Sequence, residues 1–145
     1  MTDSEYKAKL WFERYRDKYR QLQNSKDRLS LKEDLVNKCT SQYNSDGSGS
    51  SDVEEQMKRR EDALADYSEM RKQVEKEEKE LLDLFDELVN VIKQLSKPIH
   101  QTIAQAMYLR FCEWSQIQNE EHISRSTLHR YRNDMLHEAA KILNI

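Results

Sequence analysis

The residues with the clearest chemical potential are basic and hydroxyl side chains near the C-terminus. From position 124 the sequence reads Ser-Arg-Ser-Thr-Leu-His-Arg-Tyr-Arg-Asn. Arginine can donate two hydrogen bonds to a guanine edge, while serine and threonine can bind phosphates or base edges. These residue types are typical of a surface that reads double-stranded DNA. The candidate DNA-binding residues are Arg125, Ser126, Thr127, His129, Arg130, Arg132 and Asn133.

A helix over about Arg125–Leu143 would position these side chains. Apolar residues recur at steps of three and four from Leu128 to Ile142, so one face is expected to be buried and the other solvated. Ser124 is the expected N-cap, because its hydroxyl can accept a hydrogen bond from an amide in the first turn.

The residues before Ser124 complete a predicted helix-turn-helix. A first helix is expected from Pro98 to Phe111, and a short one from Glu113 to about Glu120, followed by a tight turn. In such a motif the last helix places its N-terminal residues in the major groove. The expected core of the motif comprises Trp114, Ile117, Ile123, Leu128, Tyr131 and Met135.

A long helix with a heptad repeat precedes this unit, from about Val53 to Leu95. Ten of its thirteen a and d positions are apolar, which is typical of a coiled coil. The partner is the N-terminal helix folded back, another copy of the chain, or both; we favour an intrachain hairpin with dimerisation added. The predicted oligomerisation seam consists of Leu64, Tyr67, Val74, Leu81, Phe85, Leu88, Ile92 and Leu95.

The predicted fold is all-α, with a long helical hairpin or coiled-coil stalk followed by a small C-terminal helix-turn-helix domain. The segments are an N-terminal helical segment (1–39), a Ser/Gly-rich loop (40–52), the long heptad helix (53–96) and the helix-turn-helix domain (97–145). Asn24-Ser25 suggests a break in the first segment, and Asp52 is the expected N-cap of the heptad helix. Between Trp11 and Arg20, aromatic and basic residues alternate in a way that could suit single-stranded nucleic acid, but their shared stripe favours packing.

Composition restricts the function further. Charged residues make up 35% of the chain and the mean hydropathy is -1.02, so a large globular core is not expected. The net charge is -3, but the acid is concentrated in residues 40–96, so DNA binding is not excluded. We expect reduced thiols at Cys39 and Cys112, a cytoplasmic location without a membrane partner, and neither cofactor nor metal. No catalytic constellation is present, and the chain is predicted not to be an enzyme.

Three stretches resemble a known family. Leu109-Arg110-Phe111, Trp114-Ser115-Gln116-Ile117 and the run from Ser124 to Arg130 resemble the C-terminal part of ArpU/RinA-type phage transcription regulators. That part is similar to the sigma-factor domain that reads the upstream promoter element. The resemblance extends over most of the chain in architecture and over about 109–131 in motif. It implies a phage or prophage regulator of late genes, such as packaging and morphogenesis operons.

The sequence therefore predicts a transcription regulator that binds promoter or operator DNA as a homo-oligomer. The main alternative is a coiled-coil adaptor that binds RNA polymerase or another regulator without specific DNA contact. A small terminase subunit ranks lower, because that class usually carries its helix-turn-helix at the N-terminus.

Overall fold

The computed structural model describes residues 1–45 and 50–145, with side chains described outside residues 39–52. Within this part of the chain there are helices and connecting turns and no strand, so the all-α prediction is confirmed. The elements are α1 (Asp3–Ser45), α2 (Ser50–Lys93), α3 (Pro98–Ala104) with a π-helical turn (Gln105–Leu109), α4 (Trp114–Glu121) and α5 (Arg125–Leu143).

Helix α1 is longer and more continuous than predicted. The break suggested at Asn24-Ser25 is wrong, because α1 passes through both residues. Asparagine and serine disfavour a helix interior far less than glycine or proline do. Ser25 is also buried, and its hydroxyl accepts a hydrogen bond from the Arg28 guanidinium at 3.2 Å.

Both ends of the predicted loop over residues 40–52 are helical in the structure. Helix α1 continues to Ser45 and α2 begins at Ser50, so Asp52 lies inside α2 and is not its N-cap. The serine, threonine and asparagine residues that suggested a loop are tolerated in these helix ends. Residues 46–49, which contain both glycines, lie outside the described residues.

The chain divides into two compact units, and the first combines Met1–Tyr19 with Glu80–Ile145. The start of α1 contributes to the core of this unit, since Ala8 and Phe12 are fully buried. The Phe12 ring stacks on Tyr108, with 4.8 Å between ring centroids. This differs from the predicted division of the chain, in which the start of α1 belongs to a separate N-terminal segment. The same core includes Leu88, Ile92, Ile103, Ile117, Leu128, Met135 and Leu136.

The second unit, Arg20–Lys79, pairs the rest of α1 with the first part of α2. Lys26 binds Glu78 at 3.4 Å and Lys32 binds Asp66 at 3.3 Å, so the two helices run antiparallel within one chain. Leu22, Val36 and Val74 are buried. Large apolar side chains also remain exposed in this unit, namely Leu31, Leu35, Met57 and Leu64.

The predicted seam residues differ in burial, and the last of them, Leu95, lies beyond the end of α2 at Lys93. Val74, Leu88, Ile92 and Leu95 are buried, Tyr67 and Leu81 are half-buried, and Leu64 and Phe85 are exposed. In the first unit Leu84 and Val91 are buried as well, so the apolar stripe there is wider than an a/d seam. A stripe of this width is expected where a helix contacts more than one neighbouring element.

Candidate nucleic-acid interface

Ser124 caps α5 as predicted. Its hydroxyl oxygen accepts a hydrogen bond from the Thr127 amide at 3.2 Å. The Ser124 hydroxyl also donates to the Thr127 hydroxyl at 2.9 Å. This cap satisfies an amide that has no partner within the helix, and it fixes where α5 begins.

The turn before α5 depends on a left-handed residue. His122 ends α4 with φ 56° and ψ 45°, and the amides of His122 and Ile123 both donate to the Gln118 carbonyl. Glycine is usual at such a position, because a Cβ atom makes the left-handed region costly. The turn allows Ile123 to pack against the core, and α5 starts two residues later.

The candidate DNA-binding residues occupy the first half of α5, away from its core face. Arg125, Ser126, His129 and Arg130 are exposed, while Thr127, Arg132 and Asn133 are half-buried. The opposite face docks through Leu128 and Met135, which are fully buried. Of the other predicted core residues, Ile117 is buried, and Trp114, Ile123 and Tyr131 are half-buried against the core.

Trp114, at the start of α4, contacts three of the candidate residues through its ring. The Arg125 and Arg132 guanidiniums lie 5.6 and 5.0 Å from the centre of its ring. The His129 ring lies 4.3 Å from it, centroid to centroid. These contacts restrict side chains one and two turns apart on the same stripe of α5.

The acidic end of α4 is partly neutralised. Arg110 forms an ion pair with Glu120 at 2.9 Å, and Gln116 donates to the same carboxylate at 3.1 Å. The hydrogen bond from Arg110, and then the one from Gln116, hold the pKa of Glu120 below its usual value. By contrast, Arg125 and Arg130 form no ion pair with any residue that the structure describes.

A cavity of about 150 Å³ lies beside Trp114, within the first unit. Its lining includes Lys9 and Arg16 of α1, together with Tyr108, Trp114 and Arg132. Burial is the main cause that raises the pKa of the Tyr108 hydroxyl. Lys9 was not predicted to belong to any site. Arg16 lies in the Trp11–Arg20 stretch, whose alternation of aromatic and basic residues was the signal for a site but was interpreted as packing.

The cavity wall contains an unusual backbone. Gln105–Leu109 form a π-helical turn, and the Cys112 amide donates to the Ala106 carbonyl at 2.8 Å. Phe111 follows in the left-handed region with φ 55°. A bulky residue rarely adopts this conformation. The Phe111 ring contacts Tyr15 and Tyr19, with centroids at 5.6 and 5.3 Å, and this packing holds it in place.

The profile of a family described as "Protein of unknown function (DUF1492)" matches residues 44–144, more than half of the chain. The chain belongs to the DUF1492 family. The DUF1492 match includes the candidate DNA-binding residues and Trp114. It does not include Met1–Tyr19, which complete the core of the first unit here. Comparison with curated proteins and with solved structures found no significant match.

Three further features of the described residues complete this description. They contain no group of three or more His, Cys, Asp or Glu side chains that could hold a metal ion. Cys112 is a free thiol. No helix in the described ranges is both long and apolar enough to cross a membrane.

Proposed function

We propose that this DUF1492 protein is a sequence-specific, non-enzymatic DNA-binding transcription regulator that inserts the first half of α5 into the major groove. The observation that carries the proposal is the arrangement of α5. A serine-capped helix buries Leu128 and Met135 while exposing Arg125 and Arg130, which have no carboxylate partner among the described residues. A recognition helix needs this combination of a docked face and free polar donors.

The regulatory role rests on the resemblance to ArpU/RinA-type phage regulators. The residues that carry the resemblance lie at the end of the π-helical turn and just after it, in the first half of α4, and at the N-cap and start of α5. We therefore propose a phage or prophage protein that acts on late genes from the cytoplasm of the host. It requires no cofactor, because DNA recognition of this kind depends only on side chains and helix ends.

Homo-oligomerisation is part of the proposal. In the second unit, Leu31 is 69% exposed and Leu35 is 50% exposed, together with Met57 at 47% and Leu64 at 43%. Two paired helices have little interior, and such exposed apolar side chains are typical of a surface that a further helix covers. A second copy of the chain would bring a second α5 to DNA and create a requirement for repeated half-sites.

The test is selection of bound fragments from the parent genome at two salt concentrations. We expect wild-type protein to enrich one intergenic site, and the Arg125→Ala/Arg130→Ala variant to lose that enrichment. The matched control is Lys58→Ala/Arg59→Ala, which removes the same charge from exposed residues of α2. Equal binding by all three proteins would indicate only a salt-sensitive attraction to the DNA backbone, and it would contradict the proposal.

The second candidate is an adaptor that binds RNA polymerase or another regulator through the same exposed apolar residues. Its specific support is that these residues lie in the second unit, which contains none of the candidate DNA-binding residues. Retention of polymerase by wild-type protein, its loss on Leu31→Ser/Leu35→Ser, and the absence of any enriched DNA site would favour this function.

A further inference from the structure

Two arginines at the cavity beside Trp114 have no anionic partner. Arg16 of α1 and Arg132 of α5 both line it, and neither forms an ion pair within the described ranges. The Nε atom of Arg132 is buried and has no hydrogen-bond partner among the described residues. A buried donor on a charged group is costly to leave unsatisfied, and the side chain that carries this donor lines the cavity.

The two guanidiniums are held in position by aromatic rings. The Arg16 guanidinium lies 5.8 Å from the centre of the Phe111 ring, and the Arg132 guanidinium lies 5.0 Å from that of Trp114. A second nitrogen of Arg132 donates to the Asn133 side-chain oxygen at 3.3 Å. The donors are thus oriented before any ligand binds, which reduces the entropy lost on binding.

The remaining charges around the cavity favour an anion. Lys9 and Glu13 form an ion pair at 3.7 Å and largely offset each other. Glu113 supplies a carboxylate, so the two arginines leave an excess of one positive charge. Glu113 and Arg16 are exposed, and through them the cavity is accessible from solvent.

We propose that this cavity binds a phosphoryl group between Arg16 and Arg132. Guanidinium donors match the oxygens of a phosphate in paired, charge-assisted hydrogen bonds. At about 30 Å³ per water molecule, the volume accommodates about five waters, which is enough for one such group. It is well below the roughly 300 Å³ at which sites for whole small molecules begin. The rest of a larger ligand must therefore lie outside.

The phosphoryl group is assigned to the DNA backbone, and this assignment rests on the proposed function. Arg132 shares the Trp114 ring with Arg125 and His129, so the cavity continues the surface that α5 presents. A phosphate held there would fix the orientation of α5 without contributing sequence information. Arg16 would make α1 part of the DNA-binding surface.

The first experiment titrates inorganic phosphate into the full-length chain labelled at arginine Nε, at constant ionic strength set with chloride. We expect the Nε–H resonances of Arg16 and Arg132 to shift and saturate, so each variant is followed at the arginine that it retains. Arg16→Gln and Arg132→Gln are each expected to weaken phosphate binding about tenfold to a hundredfold. Glu113→Gln should tighten it about two- to fivefold. Lys93→Gln, an exposed lysine outside the lining, should change nothing.

Arg16→Gln decides the test, because Arg16 is exposed and its replacement is not expected to disturb folding. An unshifted Arg132 resonance, or phosphate affinity unchanged in a folded Arg16→Gln protein, would overturn the proposal. The second experiment separates the two sources of phosphate. For a backbone phosphate, Arg16→Gln should weaken binding to all DNA sequences alike and lower the salt slope by about one.

A small phosphorylated molecule as the occupant would give a different result. The phosphate-induced shift would then persist in the presence of saturating DNA, and Arg16→Gln would leave the salt dependence of DNA affinity unchanged. Either result would overturn the assignment to DNA. A failure of the proposed function would be distinguishable from a failure of the phosphate site. Wild-type protein would then bind phosphate through Arg16 and Arg132 but enrich no site from the genome.

Discussion

Trp114 is the residue on which the candidate interface depends most. Its ring contacts two arginines and one histidine of α5, and it also lines the cavity. From the sequence, Trp114 was interpreted as a packing residue, and it does contact the core, but it is only half-buried. An aromatic face that remains accessible can restrict cations without satisfying their hydrogen bonds, so their donors stay available for DNA.

Replacing Trp114 by leucine should reduce the free energy of DNA binding by more than it reduces the free energy of unfolding. Leucine retains apolar contact with the core but removes two cation–π contacts, each worth about 0.5–1 kcal/mol at exposed sites. We expect DNA affinity, measured by fluorescence anisotropy, to fall about five- to thirtyfold. Urea unfolding measures the change in stability of the same variant. The control is Trp11→Leu, because Trp11 is also half-buried and has the Arg14 guanidinium 4.9 Å from its ring. Equal losses of affinity in both variants would refute a specific role for Trp114.

At the scale of elements, the sequence was most informative where a helix end has its own chemistry. The predicted range of α5 agrees with the structure because Ser124 supplies a side-chain cap and apolar residues repeat after it. Pro98 marks the start of α3 by a different means, because it occupies the first helical position while Lys97, at the N-cap position, makes no side-chain cap hydrogen bond. The π-helical turn and the left-handed Phe111 were not predicted. Their backbone is held by packing against α1, which local sequence does not encode.

The α4–α5 turn offers a test of this local chemistry. His122→Gly should raise the free energy of unfolding by about 0.5 kcal/mol. Glycine removes the Cβ penalty of the left-handed region, and this gain is only partly offset by the extra backbone entropy that glycine loses on folding. His137→Gly makes the same substitution inside α5 and should lower it by about 0.5 kcal/mol. Urea unfolding monitored by circular dichroism measures both. Destabilisation by His122→Gly would show that the imidazole has a role of its own in the turn.

For the whole molecule, the principal result is that the first unit is assembled from the two ends of the sequence. The ranges of α4 and α5 could be predicted from their own residues, since the cap and the apolar spacing that indicate them are local. The participation of Met1–Tyr19 could not, because an amphipathic stripe shows that a helix is covered but not what covers it. The DUF1492 profile, which begins at residue 44, omits this part of the unit as well.

Phe12 provides the decisive test of that assembly. It is fully buried and stacks on Tyr108, so Phe12→Ala should remove about 3–5 kcal/mol from the free energy of unfolding. Total stability is typically about 5–15 kcal/mol, so the loss is large, and amide signals of α5 should broaden or disappear together with those of α1. Leu10→Ala is the matched control on the same helix, because Leu10 is 46% exposed and its replacement should cost less than about 0.5 kcal/mol. If α4 and α5 instead folded independently of α1, the α5 signals would stay sharp in the Phe12→Ala protein.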